Sequence, residues 1–221
     1  MTRNIFNDNT GMSLTSKIFN LLRDDILNDK YTEGEKIGEA KLAEELGVSR
    51  TPVREALKQL ELDGIVENIP NRGVVVRSIS KQDIEDIFTI RIAIEGISVG
   101  WAIDRITEDG LKEMQDIHDL MEFYAFKKDV EKFAQLNTKF HEAIHKATKS
   151  RHLEQVLKDF QYYMKKTRKR SLQVDGRLDI SLKEHTEIIN AFIRKDKEAA
   201  QKAITRHIEM ARENVKNNAD L

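Results

Sequence analysis

Leu46-Gly47-Val48-Ser49-Arg50-Thr51-Pro52-Val53-Arg54-Glu55-Ala56-Leu57 is the stretch from which the rest of the chain is read. Gly47 ends a helix, because glycine takes the left-handed backbone that closes a helical C-terminus. Val48 packs inward, Ser49 caps the next helix, and Pro52 falls in its first turn, where a missing N–H costs nothing. Val53, Leu57 and Leu60 form a buried face, which leaves Arg50 and Arg54, four apart, together on the opposite one. Upstream, a short helix covers Glu39 to Leu46, and a longer one runs from about Leu14 to Leu27 with Ile18, Leu21, Leu22 and Ile26 on one face. Downstream, the helix from Arg50 ends near Asp63-Gly64. Ile65–Ile69 and Gly73–Val76 are then two β-type runs around Pro70-Asn71-Arg72, a hairpin. Helix, helix–turn–helix and hairpin, in that order, predict a winged helix over residues 13–79. The polar residues 1–12 are expected to form a disordered tail.

Beyond the hairpin the chain changes character. No proline follows Pro70 and glycine is sparse, so a β-rich domain would lack its turns. Ile87, Ile90, Ile94, Ile97 and Trp101 repeat at helical spacing, as do Leu153, Val156/Leu157, Phe160 and Met164, and again Ala200, Ala203/Ile204, His207/Ile208 and Ala211. Ser80 with Asp83 and Ser181 with Glu184 read as capping boxes, while Thr107, Asp129, Ser150 and Asp196 stand where N-caps belong. The expectation is a mainly α protein, with an all-α bundle of about six helices over residues 80–221. Charge is high but balanced: 37 Lys+Arg against 38 Asp+Glu, 34% of residues in all. No cysteine is present, which excludes disulfides and thiolate metal or redox sites. The first residues hold no apolar core of a signal peptide, and no run is long enough to span a bilayer. A cytoplasmic, nucleoid-associated protein without membrane partners is expected.

In a helix–turn–helix the N-terminal residues of the second helix meet base edges in the major groove. Arg50 and Arg54 are candidates there, since arginine can address guanine O6 and N7 with two bonds at once. Ser49 and Thr51 can reach phosphates, and Arg72 and Gly73 at the hairpin tip can enter a minor groove or grip the backbone. Residues 1–80 carry 11 basic and 13 acidic side chains, so net charge does not support DNA binding. The motif does. Residues 36–76, above all Leu46–Leu57 and Arg72-Gly73-Val74-Val75-Val76, resemble the winged-helix domain of GntR-family bacterial transcription regulators. The resemblance implies that Ser49, Arg50, Thr51, Arg54 and Gly73 touch double-stranded DNA, at a palindromic operator read by a homodimer. One position departs: many relatives carry an arginine where this chain has Ala40, so a contact there is missing or taken over by Lys41.

All six histidines lie after residue 80. His141 sits beside Phe133, Asn137, Phe140 and Ile144; His185 shares a face with Leu182, Ile189 and Phe192; His207 belongs with Ala203, Ile204, Ala211 and Val215. Three inward imidazoles each need a buried partner, which a hydrogen-bonded cluster or a single metal ion would supply. Asn137-x3-His141, Glu184-His185-x3-Ile189-x2-Phe192 and the run from Asp196 to His207 resemble the FCD ligand-binding domain of the FadR subfamily. That resemblance implies a divalent metal, zinc or nickel, on His141, His185 and His207. Asn137 replaces an aspartate ligand and brings a carbonyl oxygen without charge. It also implies that Arg91 clamps a small carboxylate effector; the competing reading of Arg91 is an ion pair with Glu95 at i, i+4. Lys165, Lys166, Arg168, Lys169 and Arg170 form a basic run, mostly solvated, of which Arg168 or Arg170 could line a pocket.

His141-Glu142-Ala143-Ile144-His145 is also an H-E-x-x-H, the pattern of two zinc ligands and a general base in zinc hydrolases, with Glu154 a conceivable third ligand. That reading leaves the winged helix unexplained. The leading expectation is therefore an effector-responsive repressor and not an enzyme. The alternatives are a zinc-dependent hydrolase, or a helical metabolite-binding module whose winged helix serves protein contacts.

Overall fold

The structure is a computed structural model, and it describes residues 11–28, 30–78, 80–157, 165, 171–172 and 174–217. Most of the tail expected over 1–12 lies outside them. The chain forms two compact units, Met1–Ile79 and Ser80–Leu221.

The first unit contains α1 (Leu14–Leu27), α2 (Glu39–Leu46), α3 (Arg50–Leu62), β1 (Val66–Ile69) and β2 (Gly73–Val76). Ile18, Leu22, Ile26, Leu46, Val53, Leu57 and Leu60 form its core, none more than 2% exposed. Gly47 closes α2 with φ 67°, and the Val48 N–H donates to the Ala43 carbonyl at 3.0 Å. Ser49 occupies the N-cap of α3, but its side chain makes no capping bond, contrary to expectation. β1 and β2 pair antiparallel, Val66 opposite Val76 and Ile69 opposite Gly73. A third strand-like segment was not legible beforehand. The Gly34 N–H donates to Val76 O and the Ile37 N–H to Val74 O, while Glu35 O accepts from the Val76 N–H, each at 2.9 Å. This segment is too short and too polar to show period-2 alternation.

The second unit is helical: α4 (Lys81–Arg105), α5 (Glu108–Phe126), α6 (Val130–Ala147), α7 described over residues 151–157, α8 (Arg177–Ile193) and α9 (Lys197–Asn217). α4 packs on α6 and α9, and α8 on α5 and α9. The Ser80–Asp83 capping box forms, with Ser80 Oγ accepting from the Asp83 N–H at 3.0 Å and the Asp83 carboxylate accepting from the Ser80 N–H at 2.9 Å. Thr107, Asp129, Ser150 and Asp196 also cap through their side chains. Ser181 and Glu184 do not. α8 begins five residues earlier, after Gly176 at φ 75°, and both side chains lie buried inside the helix. A spacing of three marks a shared helical face as readily as a cap, and here it is the inner face.

The stripe read on α4 is likewise corrected. Ile87 is buried, but Ile90, Ile97 and Trp101 are 37%, 50% and 40% exposed. The inward face is Ile84, Ile87, Phe88, Arg91, Glu95, Val99, Ala102 and Ile103. Both faces are apolar, and the inner one carries the two charges that a pattern reading places outside. Replacing Ser80 with Ala, which removes the capping box, is expected to destabilise the helical unit by about 0.5–2 kcal/mol in chemical denaturation.

Candidate functional site

Four side chains on the outer edge of α3 and its approach, Ser49, Arg50, Thr51 and Arg54, are exposed, whereas Val53, Ala56 and Leu57 are buried. The amphipathic spacing therefore anchors one side of the helix and presents the other. Arg54 is not idle. Its Nε donates to both oxygens of Glu39 at 3.3 and 3.1 Å, and its Nη2 donates to Oε2 at 3.0 Å, which ties α3 to the first residue of α2. At the hairpin, Arg72 Nη2 donates to the Gly34 carbonyl at 3.1 Å. Gly73 has φ 87°, and a side chain added there would also meet Lys36 Cε at 3.4 Å. Ala40 and Lys41 are both exposed on α2.

In the helical unit, Asn137 and His141 of α6, His185 of α8 and His207 of α9 meet in the interior, none more than 2% exposed. Each imidazole has its Nδ1 against an acceptor: Glu95 Oε2 at 2.6 Å for His141, the Ser181 carbonyl at 2.7 Å for His185, and Glu184 Oε2 at 2.7 Å for His207. Those acceptors require Nδ1–H, so in the neutral ring Nε2 carries the lone pair. His141 Nε2 stands 3.3 Å from His207 Nε2, and His185 Nε2 stands 3.0 Å from Asn137 Oδ1. The ligand atoms offered by the three histidines lie within 4.8 Å of one another. A tetrahedral zinc with Zn–N of about 2.0–2.1 Å holds its ligand nitrogens about 3.3–3.4 Å apart, so this donor set fits a borderline divalent ion.

Two relays hold the rings. Arg91 Nε donates to Glu95 Oε1 at 2.9 Å, and Glu95 accepts from His141. Arg177 donates to Glu184 through Nη1 at 2.9 Å and Nη2 at 2.6 Å, and Glu184 accepts from His207. Burial pushes the Glu95 carboxyl up, but the Arg91 charge and then His141 outweigh it, holding Glu95 well below the usual carboxylate range. Burial likewise opposes Glu184, and the hydrogen bonds from His207 and Arg177 bring it below its ordinary value. For His207, burial wins over Glu184 and lowers the imidazole, which favours the neutral, lone-pair-bearing ring.

Residues 14–76 match the family model of bacterial regulatory proteins of the gntR family, and residues 86–210, more than half of the chain, match the FCD domain. This chain belongs to the GntR family and carries an FCD domain. Among relatives of this GntR regulator, an HTH-type transcriptional regulator of Bacillus subtilis, YdhC, is 31% identical over 86% of each chain. The transcriptional repressor RspR of Escherichia coli is 24% identical, covering 94% of this chain and 91% of its own. Of solved structures, E. coli McbR/YncC superposes with a TM-score of 0.78 at 24% identity, over 94% of this chain and 96% of that one. A GntR-type regulator from Rhodococcus sp. RHA1 gives 0.77 at 24% identity, over 93% and 99%. The chain is thus a DNA-binding transcription regulator. No described helix is long and apolar enough to cross a membrane.

For this GntR regulator the hydrolase reading finds no support. His141 and His145 are both buried, and with Glu95 they too offer ligand atoms within 4.8 Å. His141, however, uses Nδ1 on Glu95 and turns Nε2 toward His207, Glu142 is only half-buried, and Glu154 is exposed on α7. Arg91 does form the i, i+4 pair with Glu95, yet it is 1% exposed and its Nη1 and Nη2 have no partner among the described residues. The basic run over 166–170 lies outside the described residues. Sequence reasoning missed Glu95, Glu184 and Arg177 as the groups that orient the imidazoles. Glu184 and Arg177 are seven apart, two helical turns, and that spacing could have exposed them. Replacing Arg50 or Arg54 with Ala is expected to cost about 1–3 kcal/mol of operator affinity and to relax preference at one base pair. An equal loss on random-sequence DNA, in a fluorescence-anisotropy titration, would make them phosphate contacts only.

Proposed function

We propose that this GntR regulator is a repressor that holds a palindromic operator as a homodimer and releases it when a small organic acid enters a metal-holding site in the helical unit. Single recognition helices read half-sites, so a palindrome calls for two copies at a fixed spacing. Repression is supported by relatives named as repressors, RspR and a probable D-xylose utilization operon repressor of Paenarthrobacter nicotinovorans that is 27% identical. DNA contacts are assigned to Ser49, Arg50, Thr51, Arg54, Arg72 and Gly73.

The observation that carries the sensory half is the set of three imidazoles whose Nδ1–H bonds are fixed outward while their Nε2 atoms converge. His141, His185 and His207, with the Asn137 carbonyl, would hold one divalent ion per protomer. A neutral set of three nitrogens and one oxygen favours zinc or nickel over magnesium or calcium. Such an ion supplies Lewis-acid attraction for a carboxylate. Arg91, buried with two terminal nitrogens unpartnered, supplies the second charge. Arg91 and Glu95 both stand on α4, the helix that follows the hairpin in the chain. A ligand that takes hold of Arg91 therefore acts on the element joined to the DNA-binding unit. Glu95 and Glu184 position the rings, which makes them determinants of metal affinity as well.

Protein purified without an affinity tag is expected to carry one zinc or nickel per protomer by elemental analysis. His207→Ala is expected to lose the ion, Glu184→Gln to weaken it about 10- to 100-fold, and Asn137→Asp to tighten it. A site that is empty and does not fill on adding zinc or nickel overturns the metal assignment. Operator titrations with and without the acid that most raises thermal stability are expected to differ by about 5- to 150-fold in wild type and to coincide in His207→Ala. An acid that binds tightly yet leaves operator affinity unchanged overturns the sensory role.

A further inference from the structure

α5 carries a histidine that takes no part in the central set. His118 lies where α5 packs on α8 and is 6% exposed. Its Nε2 stands 2.9 Å from Thr186 Oγ1 on α8. The Thr186 hydroxyl donates its own proton to the Leu182 carbonyl at 3.0 Å, so toward His118 it can only accept. Nε2 therefore carries the ring proton, and the lone pair of the neutral ring stands on Nδ1. One hydroxyl, its proton committed within α8, fixes the tautomer of a ring on α5.

That lone pair faces carboxylates. Glu122, one helical turn further along α5, has Oε1 3.9 Å from His118 Nδ1. Asp119 offers a second carboxylate, and the three ligand atoms lie within 4.8 Å of one another. Both acids are exposed. Among the described residues, Asp119 makes no hydrogen bond or ion pair, and Glu122 makes only its contact with His118. At 3.9 Å no hydrogen bond joins ring and carboxylate, so a proton on Nδ1 would be poorly held. A lone pair turned toward two negative groups is unfavourable unless a cation stands between them. Donors on one tetrahedral zinc, each at about 2.0–2.2 Å, stand roughly 3.3–3.5 Å apart. A small torsion of the exposed Glu122 side chain closes that difference.

We propose that His118, Asp119 and Glu122 hold a second divalent metal ion, of the zinc class, at the junction of α5 and α8. One imidazole nitrogen and two carboxylate oxygens are a zinc donor set that leaves a position for water. Their two negative charges neutralise the ion, whereas His141, His185, His207 and Asn137 form a set without charge. Thr186 is the positioning residue behind the ligand, since the acceptor on the far nitrogen of a ligating histidine fixes its tautomer and orientation. An ion here fastens α5 to the helix that carries Glu184 and His185. The two sites share no residue, so the second one stands or falls apart from the metal reading of the centre.

The test strips the full chain with a chelator, equilibrates it by dialysis against zinc and measures bound metal by elemental analysis. Wild type is expected to hold an equivalent of zinc that the double variant Asp119→Asn/Glu122→Gln lacks and that His207→Ala retains. His118→Gln is expected to lose the same equivalent. Should it not fold, the double variant gives the reading, because both of its positions are exposed. Thr186→Val removes the acceptor that fixes the tautomer, and it is expected to weaken this equivalent about 10- to 100-fold in a zinc titration. A Thr186 that serves only packing would leave the titration unmoved. Zinc binding that is the same in wild type and in the double variant overturns the second site, whatever the central set holds. A single wild-type equivalent that is lost in the double variant and kept in His207→Ala supports the second site and overturns the central metal alone.

Discussion

Two buried carboxylates decide which face each imidazole shows to the interior of the helical unit. Glu95 and Glu184 are 1% and 5% exposed, and each accepts a short bond from a histidine Nδ1. Were either carboxylate absent, the ring could adopt the other tautomer and present a proton where a lone pair now stands. The carboxylates cannot stay charged in that environment by themselves, because desolvation opposes them. Arg91 and then His141 keep Glu95 ionised, and the hydrogen bonds from His207 and then Arg177 do the same for Glu184. Arginine, carboxylate and imidazole thus depend on one another along two separate lines, Arg91–Glu95–His141 and Arg177–Glu184–His207.

Buried ion pairs of this kind contribute little net stability, because the loss of hydration offsets most of the attraction. Their removal one partner at a time is another matter, leaving an uncompensated charge at a cost of about 3–5 kcal/mol. The packing on either side of the relays is ordinary apolar core, with Phe88, Phe133, Phe140, Ile188 and Phe192 all at most 1% exposed. The arrangement is therefore stabilised by its surroundings and oriented by its charges.

Much of the first unit was legible because its boundaries are written in residues with a single local preference. Gly47 stops a helix, Pro52 starts one, and Pro70-Asn71-Arg72 reverses the chain, so α1, α2, α3 and the hairpin lie where spacing placed them. The strand-like pairing of Gly34 to Ile37 was illegible, since backbone bonds to β2 form it and its side chains carry no pattern. In the second unit several helices close on Lys128, Lys149 and Lys195 with φ of 56°, 50° and 54°, where no glycine announces the turn. The four residues of the imidazole centre were legible by spacing and family likeness, and they do come together. The Arg91–Glu95 pair was also among the readings of the sequence and it forms, but the burial of that pair and the role of Glu95 and Glu184 in orienting the rings were not legible. Charged residues are assigned outward by any hydrophobicity argument, and only their mutual pairing makes the inner position tolerable.

The tie between Arg54 and Glu39 has a bearing on how the protein travels over DNA. A guanidinium held by a carboxylate must exchange that partner before it can grip another, a small cost at an exposed pair such as this one. On the proposal that Arg54 meets DNA, an encounter with a stretch of duplex that offers only phosphate oxygens would have to dislodge Glu39 and also accept the repulsion of that displaced negative charge. A groove edge with two well-placed acceptors compensates for the exchange more fully, because it reproduces both bonds. On the proposal that Arg54 reads a base edge, residence on arbitrary sequence would thereby be shortened more than residence on a matching one. The unit carries more acidic than basic residues over its length, which under the same proposal would keep general adhesion to DNA weak and the final stop selective.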